Sequence, residues 1–116
     1  MSHRPIYLLI ADIIECIAKI ERYTAGLDHD GFLADEKTVD SVVRNLEIIG
    51  EAANRIPDSF KTQHHQIEWR RIVGLRNRIV HNYFGLDQEI IWEIIQHELP
   101  ALKAKLSAIQ DDGAQS

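Results

Sequence analysis

The sequence predicts an all-α fold: an antiparallel bundle of about four main helices, forming a single domain over residues 1–116. Three observations predict it. Apolar residues recur three and four apart over long runs, which is the spacing of one helical face. No segment alternates polar and apolar residues as a half-buried strand does. Short connections rich in Gly, Pro, Asp and Ser separate the runs, as in bundles of neighbouring helices. A chain of 116 residues can bury roughly two-thirds of its extended surface, enough for one modest core.

The first run carries Ile6, Ile10, Ile13, Ile14, Ile17 and Ile20, with Asp12, Glu15, Lys19 and Arg22 off the stripe. Pro5 suits its first turn and Gly26 its stop. Leu27 to Ala34, with Asp28, Asp30 and Gly31, reads as a connection. Asp35 is placed to cap a second helix. There Val39, Val42, Leu46, Ile49, Ala53 and Ile56 form a narrow seam suited to helix–helix packing. Gly50 lies inside that helix, where glycine costs about 1 kcal/mol relative to Ala; it suits a close backbone approach. Pro57 ends the helix.

Pro57 to Gln66 reads as a solvated polar loop. Its His64 and His65 are adjacent and so do not face one another as a ligand pair. A third helix is expected from about Ile67, stopped by Gly85. Asp87 then caps a fourth helix reaching about Ile109, with the stripe Ile91, Ile94, Ile95, Leu99, Leu102, Leu106 and Ile109. Pro100 should bend or divide it near His97. Residues 1–4 and 111–116 are expected to fray.

Composition narrows the function. The formal charge of -5 excludes a generally basic nucleic-acid coat. The charge is uneven, however, because Arg70, Arg71, Arg76 and Arg78 crowd into nine residues. Such a strip can bind phosphate on an otherwise acidic protein. Cys16, the single cysteine, permits no intrachain disulfide and reads as core. No apolar run reaches membrane-spanning length, so a cytoplasmic protein without membrane contact is expected. Glu93 and His97 are four apart, but nothing completes a metal site and no His-Glu-x-x-His pattern occurs. No metal or cofactor is expected.

The chemistry gathers in Leu75-Arg76-Asn77-Arg78-Ile79-Val80-His81-Asn82-Tyr83-Phe84. On a helix Arg76 and Tyr83, seven apart, share a face, as do Asn77 and His81, four apart. Arg76 and His81 stand roughly 140° from each other. One continuous helix does not aim both at one atom. Either the helix ends or distorts near His81, or each residue meets its counterparts from a second copy. Arg76 sits among Ile72, Val73, Ile79 and Val80, where a guanidinium needs a partner. That partner is a bound anion or, in a structural role, Glu47 or Glu51. His81 alone also fits an interface histidine, and Tyr83 alone fits the core.

The run Arg76 to Tyr83 resembles the Arg-x4-His-x-Tyr signature of HepT-type toxins in the HEPN superfamily. Three further blocks resemble that family in the same order: Asn45 to Ala53, Ile67 to Leu75, and Leu99-Pro100-Ala101-Leu102. The resemblance implies an all-helical HEPN-like fold and a homodimer in which both motifs line one cleft. It implies a metal-independent endoribonuclease, the toxin beside a minimal nucleotidyltransferase antitoxin that adenylylates Tyr83.

The implied chemistry is attack of a 2′-hydroxyl on the adjacent phosphorus. This needs a base, an acid and a positive donor for the phosphoryl oxygens. His81 is the candidate acid/base, supplied twice by a two-fold dimer, and Arg76 the phosphate ligand. Asn77 would orient the imidazole or the RNA, and Arg78 would make a secondary backbone contact. An AMP group on Tyr83 would fill the phosphate site. The alternative is a non-catalytic dimeric interaction or nucleotide-binding module.

Overall fold

The computed structural model describes the backbone of residues 4–83 and 88–115, and the side chains of residues 4–79 and 89–111. Among these the fold is helical throughout, with no strand. The first helix, α1 (Ile6–Thr24), buries Leu9, Ile10, Ile13, Cys16, Ile17 and Ile20. Its buried Thr24 hydroxyl donates to the Ile20 carbonyl at 2.8 Å, so no polar group is stranded there. Burial pushes the Cys16 thiol pKa up, as expected of a core cysteine. Gly26 follows at a φ of 80° and turns the chain away. Arg4, expected to fray, is instead held by Asp12 at 2.6 and 2.8 Å.

The segment read as a connection contains a short helix, α2 (His29–Ala34), whose first turn is capped by the Asp28 carboxylate accepting from the Gly31 N–H at 2.7 Å. Asp35 caps α3 (Glu36–Arg55) as expected, accepting from the Thr38 N–H at 3.1 Å. All six seam residues of α3 are buried, and Ile56 leaves the helix in an extended conformation before Pro57. Helix α3 is the centre of the bundle: α1 packs on it from one side, and the Arg-rich segment from another.

The polar stretch after Pro57 is likewise not all loop. It forms α4 (Asp58–Gln63), with the His64 ring against Phe60 at 4.3 Å between centroids. The His64 carbonyl accepts from the indole N–H of buried Trp69 at 3.0 Å. The expected third helix is two pieces, α5 (Trp69–Val73) and α6 (Leu75–Tyr83), with Gly74 between them. The hydrogen bonds Gly74 N–H to Arg70 carbonyl and Arg78 N–H to Gly74 carbonyl, both 3.0 Å, keep the pieces linked. Ile72, Leu75 and Ile79 turn into the core.

Gly50 is the reason α3 and this junction lie so close. A Cβ there would stand 3.4 Å from the Ile72 carbonyl, 3.6 Å from the Val73 carbonyl and 3.7 Å from the Arg76 nitrogen. These are ordinary contacts for one methyl group and leave no room for more. Gly50→Ala is therefore expected to gain about 1 kcal/mol of helix propensity, and Gly50→Leu to lose about 1–3 kcal/mol by overpacking. Thermal melts of the two variants should move in opposite directions.

Helix α7 (Gln88–Glu93) passes through a π-turn (Ile94–Glu98) into α8 (Leu99–Gln115). Pro100 has no N–H to give and its ring crowds the preceding turn. The ladder widens accordingly, and the Leu99 N–H reaches back to the Ile94 carbonyl. The expected distortion near His97 thus takes the form of a π-turn. Helix α8 runs to Gln115, past the limit expected near Ile109. Gly85 and Asp87, the expected stop and cap, lie outside the described residues, as do residues 1–3 and 116.

Candidate functional site

Helix α6 brings Arg76, Asn77, Arg78, His81 and Tyr83 onto one backbone element. It runs without a break from Leu75 to Tyr83, so it does not stop short of His81. Over five helical residues the directions at Arg76 and His81 differ by roughly 140°. The described backbone shows no distortion between them that would change this offset. The side chains of His81 and Tyr83 lie outside the described residues; their backbone positions fall one helical turn and two turns beyond Asn77 and Arg76 respectively.

Arg76 is exposed, although the sequence placed it on an apolar face. Leu75 and Ile79 take the buried stripe, and Arg76 leaves it at the flank nearest α3. There it lines an open pocket of about 260 Å³ with Arg44, Glu47, Ile48 and Glu51 of α3. Glu47 and Glu51 are the residues expected to hold Arg76 in a structural role. Neither forms an ion pair with it among the described residues; Glu51 is 3.4 Å from Arg55 instead. Arg76 thus shares an open pocket with two carboxylates and forms an ion pair with neither among the described residues. Asn77 beside it is also exposed.

Arg78 stands differently. Its guanidinium makes two hydrogen bonds to Glu98, at 3.1 and 2.9 Å. Arg71 makes two more to the same carboxylate, at 2.9 and 3.0 Å. Two of the four guanidiniums of the strip are thereby held by one carboxylate, which offsets a single unit of their charge. Burial pushes the Glu98 carboxyl pKa up, but hydrogen bonds and charge from Arg78 and Arg71 outweigh it and bring it down to about 2. Among the described residues no three His, Cys, Asp or Glu side chains cluster as metal ligands. No helix among the described residues is long and apolar enough to cross a membrane.

The family model for HepT-like ribonucleases matches residues 13–109, from the second half of α1 to near the end of α8. The chain belongs to the HepT-like ribonuclease family. Among members with similar sequences is a probable ribonuclease HepT of Thermococcus cleftensis, 40 % identical over 87 % of this chain and 92 % of the relative. A candidate RNase of Methanocaldococcus jannaschii is 36 % identical over 86 % of this chain and 83 % of that protein. Another, from Caldanaerobacter subterraneus, is 39 % identical over 82 % and 84 %. No solved structure matches the chain.

This HepT-like chain holds two features that its motif did not reveal. Arg44 reaches the Arg76 pocket from α3, and Glu98 binds two of the four arginines from the π-turn. Arg44 does have a local signal: it is the basic member of the helical face Arg44, Ile48 and Glu51, next to Gly50. Glu98 has none, since its partners lie 20 and 27 residues away.

Proposed function

We propose that this chain is a metal-independent endoribonuclease that acts as the toxin of a toxin–antitoxin pair. Two copies form a homodimer, and both α6 helices line the cleft where RNA is cut. The observation that carries this reading is Arg76: an exposed guanidinium with no ion pair among the described residues, on the same uninterrupted helix as His81, in a chain of the HepT-like ribonuclease family.

The reaction is attack of the ribose 2′-oxygen on the adjacent phosphorus. The 2′-hydroxyl proton passes to one His81 imidazole acting as base. The bond to the 5′-oxygen breaks, and that oxygen takes a proton from the second His81. The products are a 2′,3′-cyclic phosphate and a 5′-hydroxyl. Arg76 binds the non-bridging oxygens through paired N–H donors, and these contacts strengthen as charge builds on phosphorus. The divergence of Arg76 and His81 on a single α6 supports a site shared between copies, in which neither residue serves only its own chain. Asn77, one turn before His81, orients the imidazole or the substrate. Arg78 is a lesser backbone contact, because Glu98 already holds it.

Tyr83 is the regulatory position. A minimal nucleotidyltransferase antitoxin transfers AMP from ATP to its hydroxyl, releasing pyrophosphate. Two helical turns from Arg76, the added phosphate competes for the guanidinium and excludes RNA.

The test is cleavage of a defined RNA in excess chelator. The parent chain should leave cyclic-phosphate and 5′-hydroxyl ends. His81→Ala should cut about 10²–10⁴-fold more slowly with an unchanged circular dichroism spectrum. Cleavage that vanishes on chelation, or that persists in folded His81→Ala, contradicts the mechanism. Tyr83→Phe should cut like the parent and take up no AMP from the nucleotidyltransferase and ATP. A Tyr83→Phe chain that is inert toward RNA and still modified reverses the assignment of roles.

A further inference from the structure

The pocket beside Arg76 holds more chemistry than phosphate binding uses. On α3, Arg44, Glu47, Ile48 and Glu51 fall at i, i+3, i+4 and i+7, the spacing of one helical face. Arg76 closes the pocket from α6. Opposite charges at such spacings commonly pair. Here neither guanidinium forms an ion pair with either carboxylate among the described residues. Glu51 pairs with Arg55, which does not line the pocket, and this leaves Glu47 as the open carboxylate. Ile48 is 38 % exposed, one of the few large apolar side chains left to solvent among the described residues. Two cations, an open carboxylate and a bare apolar surface correspond to the three parts of a nucleotide: phosphate, base edge and base face.

We propose that this pocket is a guanosine-reading subsite beside the scissile phosphate. Its location next to the cut rests on the ribonuclease reading; its preference for guanine rests on the pocket alone. Among the four RNA bases only guanine presents two N–H donors side by side on its Watson–Crick edge, at N1 and N2. That pair matches the two oxygens of one carboxylate, as an arginine fork does. Adenine and cytosine offer one exocyclic amine beside an acceptor, and uracil one imide N–H between acceptors. An acceptor facing Glu47 is an unpaired, repelled group, so the carboxylate rejects those bases as well as selecting guanine. Ile48 lies against the base plane, and Arg44 joins Arg76 on the flanking phosphates. The two carboxylates would repel an RNA backbone that merely passed over them. Base donors turned toward Glu47 convert that charge into recognition, and the two guanidiniums offset the rest.

The experiment is titration of the full chain, in chelator and low salt, with the 3′-monophosphates of guanosine, adenosine, cytidine and uridine, followed by NMR shifts or calorimetry. Guanosine 3′-monophosphate should bind about tenfold or more tightly than the others, the scale of one good paired base contact. Glu47→Gln should erase that preference while leaving phosphate-driven binding. Arg44→Ala should weaken all four alike, by several-fold. Equal binding of the four, a preference untouched in Glu47→Gln, or no binding because a second copy covers this face overturns the subsite. The nuclease reading fails separately. A chain that prefers guanosine but cuts no RNA keeps the subsite and loses the reaction. A chain that cuts RNA with no guanosine preference beside the cut does the reverse.

Discussion

Arg76→Ala is expected to slow RNA cleavage by about 10²–10³-fold, the usual loss when one donor to a developing oxyanion is removed, with no measurable loss of stability. The two halves of this result have separate origins. Arg76 leaves the buried stripe to Leu75 and Ile79 and stands exposed, without an ion pair among the described residues. Truncating such a side chain ordinarily changes stability by less than about 0.5 kcal/mol. The same openness leaves the guanidinium available to a phosphate. Charge grows on the phosphoryl oxygens only as the 2′-oxygen attacks, so the loss should fall on kcat more than on KM. Arg76→Lys should recover little of it, because an ammonium is a point charge and cannot present paired parallel donors. A drop of several degrees in Tm for Arg76→Ala would instead restore the structural role, an arginine held by Glu47 or Glu51.

The long elements were legible because each signal repeats. The stripes of α1 and α3 run for several turns, and caps at Gly26, Asp35 and Pro57 agree with them. Pro100 announced a distortion by its missing N–H, although not that the ladder would widen into a π-turn. Helices α2 and α4 were not legible. Six residues give less than two turns, too few for a period, and polar segments rich in Asp and Ser look the same in a capped short helix as in a loop. The break at Gly74 was hidden too, since apolar residues on both sides keep helical spacing through it. At the site, Arg76 stood out by residue type, but its exposure depends on which flank of the stripe meets α3. That is a tertiary fact. Arg44 shows only through its place on one face of α3, and Glu98 lies 20 and 27 residues from its two partners, beyond the reach of any local pattern.

Glu98 ties the stability of the fold to pH. Arg71 on α5 and Arg78 on α6 are seven residues apart and meet one carboxylate from the π-turn. Glu98 therefore fastens the two helices together across the Gly74 break, where the main chain does less to fix their direction. The direction of α6 sets where Arg76 stands in its pocket. With the Glu98 carboxyl lowered from 4.5 to about 2, the carboxylate form is the one the fold favours. Its contribution is fully present above pH 4.5 and is lost as pH falls toward 2. The size is about 3 kcal/mol from linkage alone and about 2 kcal/mol once solvent screening of this part-exposed cluster is allowed for. Glu98→Gln should accordingly lower stability by about 2 kcal/mol at pH 7, a fall in Tm of roughly 10 °C. The gap between parent and variant should close between pH 4.5 and 2, because protonation neutralises the parent as the substitution does. Cleavage by Glu98→Gln at a temperature where it is still folded should also fall several-fold, since a loosened α6 carries Arg76 with it. A stability gap of equal size at pH 7 and pH 2 would mean that the carboxylate charge does not hold the two helices, and Gly74 would then have to be rigid by packing alone.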